Sequence, residues 1–334
     1  MFTYLIIFTA PLLTAVALTP LARQLAFRMG IVAKPGGRRR HTGDIPKLGT
    51  LPLSGGFLVG VALIYWLIPP SNPADAQLLQ GLMIGFVLVF LVGIGDDIYD
   101  WSWWPQFLLQ FVATAVVVWH ELFLEVFTNP ISGEPIHIIS WLVPIVTLFW
   151  VSGMMNTVNW LDGLDGLAAG VATIAALLFA WHSYNLGQLT IAAFPLALGG
   201  ALLGLLIFNF APAKIFLGSG APLLGYCLAT LAILAPAKIA TALLVLAVPI
   251  LDVAWQIVDR IRRGQSPLRG DRGHLHFRLS DGGLPTRTIV LGYYTISAAF
   301  GLVAIYANGL WKLLILIVLS LLVLGLLMWL SRRK

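Results

Sequence analysis

Two aspartates sit side by side in GIGDDIYD, residues 93–100, and Asp100 follows three positions after Asp97. Neighbouring carboxylates repel each other. At the end of an apolar segment that repulsion is poorly screened. A shared cation removes it, and Mg²⁺ suits the role because it takes a few carboxylates and leaves positions for phosphate oxygens. No lysine or arginine accompanies the acids between residues 93 and 105, which argues against a plain solvated acidic loop. Asp96 and Asp97 are therefore candidate metal ligands.

A second constellation lies in MMNTVNWLDGLDGLAAG, residues 154–170. Asn156, Asn159 and Asp162 recur at i, i+3 and i+6, and Asp165 continues the register. On a continuing helix the first three fall roughly on one face. Such amides can hydrogen-bond a uracil, a sugar or a phosphate, while Asp162 and Asp165 can hold metal. Gly163 and Gly166 allow sharp turns or close approach of a ligand to the backbone. Helix capping would account for Asp165 ahead of the next apolar run, but capping does not need four polar groups in this register.

The third is RIRRGQSPLRGDRGHLHFRLSDGG, residues 260–283, where arginines surround His274 and His276. Histidines two apart can bind Zn²⁺, but no cysteine supports such a site, and carboxylate-rich surroundings favour Mg²⁺. Histidine and arginine donors, Arg272 among them, suit a pyrophosphate whose charge they neutralise and position. A loop that is basic only to fix topology would explain the arginines and not the H-x-H. For the other basic segment, RRRHTGDIPKLG at 38–49, topology alone is an adequate reason.

These groups need a scaffold, and composition says which kind. Of 334 residues 59% are apolar and 10% charged, with a mean hydropathy of +0.91. A soluble domain carries about 25% charge. The chain reads as an all-α, polytopic integral membrane protein, a single transmembrane domain over 1–334. A helical span needs about 20 mainly apolar residues, and helix satisfies the backbone internally. Eleven runs qualify, near 2–22, 51–69, 77–95, 103–122, 138–157, 165–183, 188–208, 221–236, 238–258, 286–307 and 309–330. Only APAK separates the eighth from the ninth, so ten is the alternative. The first run lacks a basic n-region and a cleavage site, and it is expected to be a retained span. The single cysteine, Cys227, excludes an intrachain disulfide and reads as a small core residue.

Eleven spans put the loops near 23–50, 96–103, 156–165, 209–220 and 259–285 on one side. All lysines and arginines except Lys238 and Lys312 fall there. The positive-inside rule makes that side cytoplasmic, with the N-terminus outside and the C-terminus inside. The carboxylates of all three constellations share it. A sequence pI near 9.6 suits a face that meets anionic lipid headgroups or anionic substrates. An ion carrier would spread ionisable residues along a path through the membrane, so transport is not the expectation.

Taken together, GIGDDIYD, NTVNWLDGLDGLAAG, KIFLGSGAPLLG and GQSPLRGDRGHLHFRL resemble the polyprenyl-phosphate N-acetylhexosamine-1-phosphate transferases, the bacterial glycosyltransferase family 4. The phospho-MurNAc-pentapeptide transferases are relatives within that resemblance. It covers the chain from RHTGDIPKLG near 40 to the histidine loop near 280. It implies transfer of a sugar 1-phosphate from a UDP-aminosugar such as UDP-GlcNAc to undecaprenyl phosphate, with release of UMP. It also implies a need for Mg²⁺, with Mn²⁺ as a substitute, and a place in the bacterial inner membrane. Asp96 and Asp97 match the tandem catalytic aspartates. Asn156, Asn159, Asp162 and Asp165 match the nucleotide and metal region, and His274 and His276 match a motif near the donor pyrophosphate. The remaining partners are membrane lipids and, within the family, a second copy of the chain; nucleic acid is not expected. A donor with another UDP-aminosugar, or a weakened enzyme that only binds lipid phosphate, is the alternative.

Four positions depart from the family pattern. Ser219 stands where F-M-G-D-x-G-S has its acid, Phe277 where the motif has a further histidine, Gln106 where a lysine is common, and Ala33 where an aspartate is common. A neutral hydroxyl is a weak substitute for a carboxylate on Mg²⁺, so Ser219 is expected to lower metal affinity.

Overall fold

Each of the eleven apolar runs holds a helix among the described residues of the computed structural model, which are 2–34, 43–70, 72–129, 132–234, 237–266, 272–307 and 309–332. Arg38, Arg39, Arg40 and His41 of the first basic loop, Arg269 and Asp271 of the second, and the terminal Arg333 and Lys334 lie outside the described residues. The described residues form α1 (Phe2–Met29), α2 (Thr50–Leu67), α3 (Pro73–Tyr99), α4 (Trp103–Trp119), α5 (Val143–Leu161), α6 (Leu167–Asn185), α7 (Leu189–Asn209), α8 (Gly220–Ile233), α9 (Ala237–Val245), α10 (Ala247–Arg262), α11 (Leu275–Asp281), α12 (Thr286–Tyr306) and α13 (Gly309–Arg332). Two small antiparallel hairpins join them, β1 (Val32–Ala33) with β2 (Ile45–Pro46) and β3 (Val126–Thr128) with β4 (Pro135–His137).

The chain is all-helical and built for a membrane, but helix length and composition do not confirm all eleven crossings. Seven helices, α1, α2, α3, α6, α7, α12 and α13, are long and apolar enough to cross, and α9 with α10 makes an eighth if that pair counts as one span. α4 and α8 have 17 and 14 residues. At 1.5 Å per residue they reach roughly 26 and 21 Å, against about 30 Å of hydrocarbon. The ninth run differs most. It reads as one apolar stretch, yet the chain bends by 73° between α9 and α10. Beyond the bend, Asp252, Gln256 and Arg260 repeat every four residues and are buried against protein, a stripe that could not face lipid.

Close helix contacts hold the bundle together. α1 lies against α2 and α7. A Cβ at Gly56 or Gly60 of α2, or at Gly200 or Gly204 of α7, would collide with Pro11, Ala197, Phe8 or Leu12. Small residues of this kind let helix backbones approach where no hydrophobic effect drives them together. α6 packs on α7, α5 on α8, and α3 on both α4 and α8. Cys227 is buried in this core, as its sequence context suggests.

α3 starts by ordinary rules and ends by breaking one. The Asn72 side chain accepts the Ala74 N–H at 3.0 Å, Pro73 opens the helix and Asp75 occupies the first turn. At the far end Asp96 and Asp97 fall in the last turn, which holds no basic residue, and Asp100 closes it with φ 53°. Carboxylates there face the negative end of the helix dipole. The N-terminus of α8 meets them and supplies the compensation.

Candidate functional site

Asp97 is 5% exposed. Its Oδ1 accepts the Ser219 N–H at 3.0 Å, and its Oδ2 lies 3.3 Å from Thr50 Oγ1. Ser219 Oγ bridges the pair, 2.8 Å from Asp96 Oδ2 and 3.2 Å from Asp97 Oδ1. Asp96 Oδ1 also accepts Gln106 Nε2 at 2.7 Å and the Trp101 N–H at 3.1 Å. All of these donors are neutral. Lys47 comes from the first basic segment and pairs with the exposed Asp100 at 3.2 Å, which keeps a cation beside the aspartates without contacting them. The sequence reading passed over Thr50 and Lys47; no local pattern marks a threonine two helices away as a carboxylate partner.

The turn between α5 and α6 carries the next groups. α6 begins after Gly166, which has φ 78°. Asp162 makes no side-chain hydrogen bond among the described residues. Burial, with the charges of Asp165 and Asp97 beside it, raises its pKa to about 7. Asp165 is not the α6 cap that its position suggests: its Oδ2 accepts the Ala213 N–H at 2.8 Å and ties this turn to the one before α8. Asn156 donates to Gln110 Oε1 and to the Ser152 carbonyl, both at 2.8 Å, so its two amide protons are engaged within the bundle. Asn159 makes no side-chain hydrogen bond among the described residues.

The two histidines separate in role. His274 Nδ1 lies 2.9 Å from Asp252 Oδ2, and the His274 and His276 rings stack at 5.8 Å. His276 is sealed, with neither ring nitrogen partnered. Burial lowers its pKa to about 3, with His274 and Arg272 adding to the effect and Asp252 opposing it. It is therefore neutral, and its Nε2 fills the space that Gly163 leaves beneath the Asp162 turn. His274 and His276 thus differ in setting, the first held by Asp252 and the second enclosed against the Gly163 turn. Arg272 pairs with Asp281 at 2.7 Å and lies 4.5 Å over the Phe277 ring.

One end of the bundle thus gathers Asp96 and Asp97 from α3, Ser219 from the start of α8, Asp162 from the α5–α6 turn and the loop of α11 against that turn. A narrow cleft opens beside Asp96, Gln106 and Ser219 and runs between Val89, Val92, Leu109, Met155 and Pro222. Its head is polar and its walls are apolar. Among the described residues no group of three or more His, Cys, Asp or Glu side chains stands close enough to hold a metal ion alone. Mg²⁺ needs less, because one or two carboxylates with waters and substrate phosphates suffice. Asp97 and Asp162, the latter without a side-chain hydrogen bond among the described residues, are the carboxylates to test against that requirement.

Comparison with known proteins agrees with this chemistry. Residues 79–236 match the model of glycosyl transferase family 4. A probable undecaprenyl-phosphate N-acetylglucosaminyl 1-phosphate transferase of Bacillus subtilis (strain 168) is 31% identical over 312 residues, which cover 91% of this chain and 85% of that protein. A decaprenyl-phosphate N-acetylglucosaminephosphotransferase of Mycolicibacterium smegmatis is 33% identical over 328 residues, 86% of this chain and 77% of that one. A phospho-N-acetylmuramoyl-pentapeptide-transferase of Moorella thermoacetica is 30% identical over 294 residues, 84% and 90% of the two chains.

Proposed function

Because the chain belongs to glycosyl transferase family 4, we propose that it moves an N-acetylhexosamine 1-phosphate from a UDP-sugar to undecaprenyl phosphate and releases UMP. The observation that carries this reading is Asp96 at the polar head of an apolar-walled cleft, with Asp97 bridged to it through Ser219 and the charge of Asp97 felt by Asp162. Such a place suits a phosphate on a lipid chain that must meet a water-soluble nucleotide. The relatives' names support the polyprenyl phosphate acceptor and N-acetylglucosamine as the sugar. The lysine and arginine asymmetry supports a cytoplasmic active face in a bacterial inner membrane.

In the reaction a nonbridging oxygen of the acceptor phosphate attacks the β-phosphorus of the donor. The bond from that phosphorus to the oxygen it shares with the α-phosphorus breaks, and UMP leaves with the oxygen. Asp96 lines the cleft and takes the proton of the acceptor phosphate. Asp97 and Asp162 would hold Mg²⁺, or Mn²⁺ in its place, and Asp165 keeps the Asp162 turn in position through Ala213. Bound there, the ion supplies neutralisation of the phosphate charge. Asn159 hydrogen-bonds the donor, while Arg272 and His274 face its pyrophosphate.

The decisive experiment combines purified protein, undecaprenyl phosphate, Mg²⁺ and a panel of UDP-aminosugars, with UMP release as the readout. UMP with at least one donor is expected. Intact lipid binding without UMP from any donor would reduce the protein to a binder of lipid phosphate.

The raised pKa of Asp162 gives a second expectation. Proton and metal compete for one carboxylate, so metal affinity rises with pH until the group is ionised and then levels off. Binding of Mn²⁺, followed by electron paramagnetic resonance, should weaken by at least about tenfold for each pH unit below about 7 and level off above it. A profile that is flat from pH 5.5 to 8.5 would remove Asp162 from the ligand set.

A further inference from the structure

α10 carries three polar side chains one turn apart, Asp252, Gln256 and Arg260, each no more than 3% exposed. Buried groups of this kind are costly unless each finds a partner. Among the described residues, Asp252 and Gln256 find partners in the histidine loop, and Arg260 lies against the ring beside it. Asp252 Oδ2 meets His274 Nδ1 at 2.9 Å, and its Oδ1 accepts the Leu275 N–H at 3.0 Å. Gln256 donates to the Gly273 carbonyl at 2.6 Å. The Arg260 guanidinium lies 5.8 Å from the Trp160 ring centre, and that ring packs 5.9 Å from His274. One helix face therefore grips the residue before His274, the residue after it, and His274 itself on one edge and one flank.

Taking the transferase reading as given, the geometry points to Asp252 as a positioning residue that fixes a proton on His274 Nδ1 and so presents Nε2 as a hydrogen-bond acceptor to a hydroxyl of the nucleotide donor beside its pyrophosphate. An ionised carboxylate only accepts, so the hydrogen between the two groups belongs to Nδ1. The partner of one ring nitrogen decides what the other can do. Among the described residues His274 Nε2 makes no hydrogen bond and, unlike both nitrogens of His276, it is not among the sealed polar atoms. Asp252 acts through His274 and does not itself touch substrate.

The test uses full-length protein carrying ¹⁵N-histidine in lipid nanodiscs, with the His274 signal assigned by its loss in His274→Gln. In the wild type, Nδ1 carries a proton. In Asp252→Asn, the Leu275 N–H keeps the amide oxygen as its acceptor, so the amide NH₂ faces the ring. His274 Nδ1 must then accept, and the proton moves to Nε2. With that switch, kcat for UMP release is expected to fall about 10–100-fold while the donor KM stays within about twofold. Asp252→Glu, which keeps a carboxylate, recovers part of the loss. A wild-type ring with its proton only on Nε2 overturns the inference, and so does a tautomer switch that leaves kcat unchanged. A wild type that releases no UMP would instead defeat the transferase reading, and the ring spectrum would still decide whether Asp252 sets the tautomer.

Discussion

Asp97→Asn is expected to lower UMP release by about a thousandfold or more, roughly 4 kcal/mol of transition-state stabilisation. The substitution keeps the shape and much of the bonding. Its amide oxygen can still accept the Ser219 N–H that now reaches Asp97 at 3.0 Å. What disappears is one negative charge at the point where α3, α8 and the Asp162 turn meet. A metal held by two carboxylates loses one of them. Folding should not suffer, because Asp97 is buried beside like charges and among neutral donors only. Removing one of several mutually repelling carboxylates should leave the melting temperature unchanged or higher, as at sites where function is kept at some cost to stability. Asp100→Asn is the control, since Asp100 is exposed and pairs only with Lys47. An exposed pair contributes about 1 kcal/mol or less, so that variant should keep turnover within severalfold. Unaltered turnover in Asp97→Asn would refute its role, and equal losses in both variants would point to charge at large rather than to this carboxylate.

Two of the four departures from the family pattern meet on one atom group. Gln106 and Ser219 both donate to Asp96, at 2.7 and 2.8 Å. Where the pattern has a lysine and an acid, this chain has an amide and a hydroxyl. One positive and one negative charge are absent together, so the net charge around Asp96 is the same. The hydroxyl also reaches Asp97 at 3.2 Å. Ser219 is thus more than a missing ligand; it holds the two aspartates to the start of α8. In the proposed site the metal side would then rest on Asp162, whose carboxylate makes no side-chain hydrogen bond among the described residues.

The helices and the side of the bundle that carries chemistry were legible because apolar run length and charge placement act locally along the chain. The D-D-x-x-D and N-x-x-N-x-x-D registers were legible for the same reason. What sequence could not show were partners far along the chain. Thr50 beside Asp97 and Gln110 beside Asn156 depend on which helices pack together. The opposite fates of His274 and His276 depend on which ring the Gly163 turn covers. The bend before α10 did leave a trace, in Asp252, Gln256 and Arg260 spaced four apart. A polar stripe at helical period inside an apolar run means a face turned to protein. The count of eleven crossings is not confirmed, because hydropathy marks apolar helices without measuring whether each is long enough to span.

Gly218→Ala is expected to remove most activity through geometry alone, with no change of charge. Gly218 has φ 60°, the left-handed region, where a residue with a Cβ pays about 1–2 kcal/mol. Here the Cβ also has nowhere to go. It would fall against the Lys47 carbonyl oxygen on one side and lie 2.5 and 2.8 Å from the two Asp97 carboxylate oxygens on the other. The Lys47 carbonyl is backbone next to the β1–β2 hairpin and yields poorly, so the relief must come from Asp97. Pushed away, that carboxylate loses the Ser219 N–H and leaves its place opposite Asp162. Overpacking of this kind costs roughly 1–3 kcal/mol beyond the backbone strain, and a misplacement near 1 Å can cost about a hundredfold in rate. Gly264→Ala separates the two contributions. Gly264 has φ 66° and nothing within 4 Å of the added carbon, so it tests the left-handed backbone without the collision. Thermal unfolding should drop modestly in Gly264→Ala and further in Gly218→Ala, while UMP release should fall about a hundredfold or more only in Gly218→Ala. Equal activity in the two variants would mean that Asp97 does not need the position that Gly218 leaves open for it.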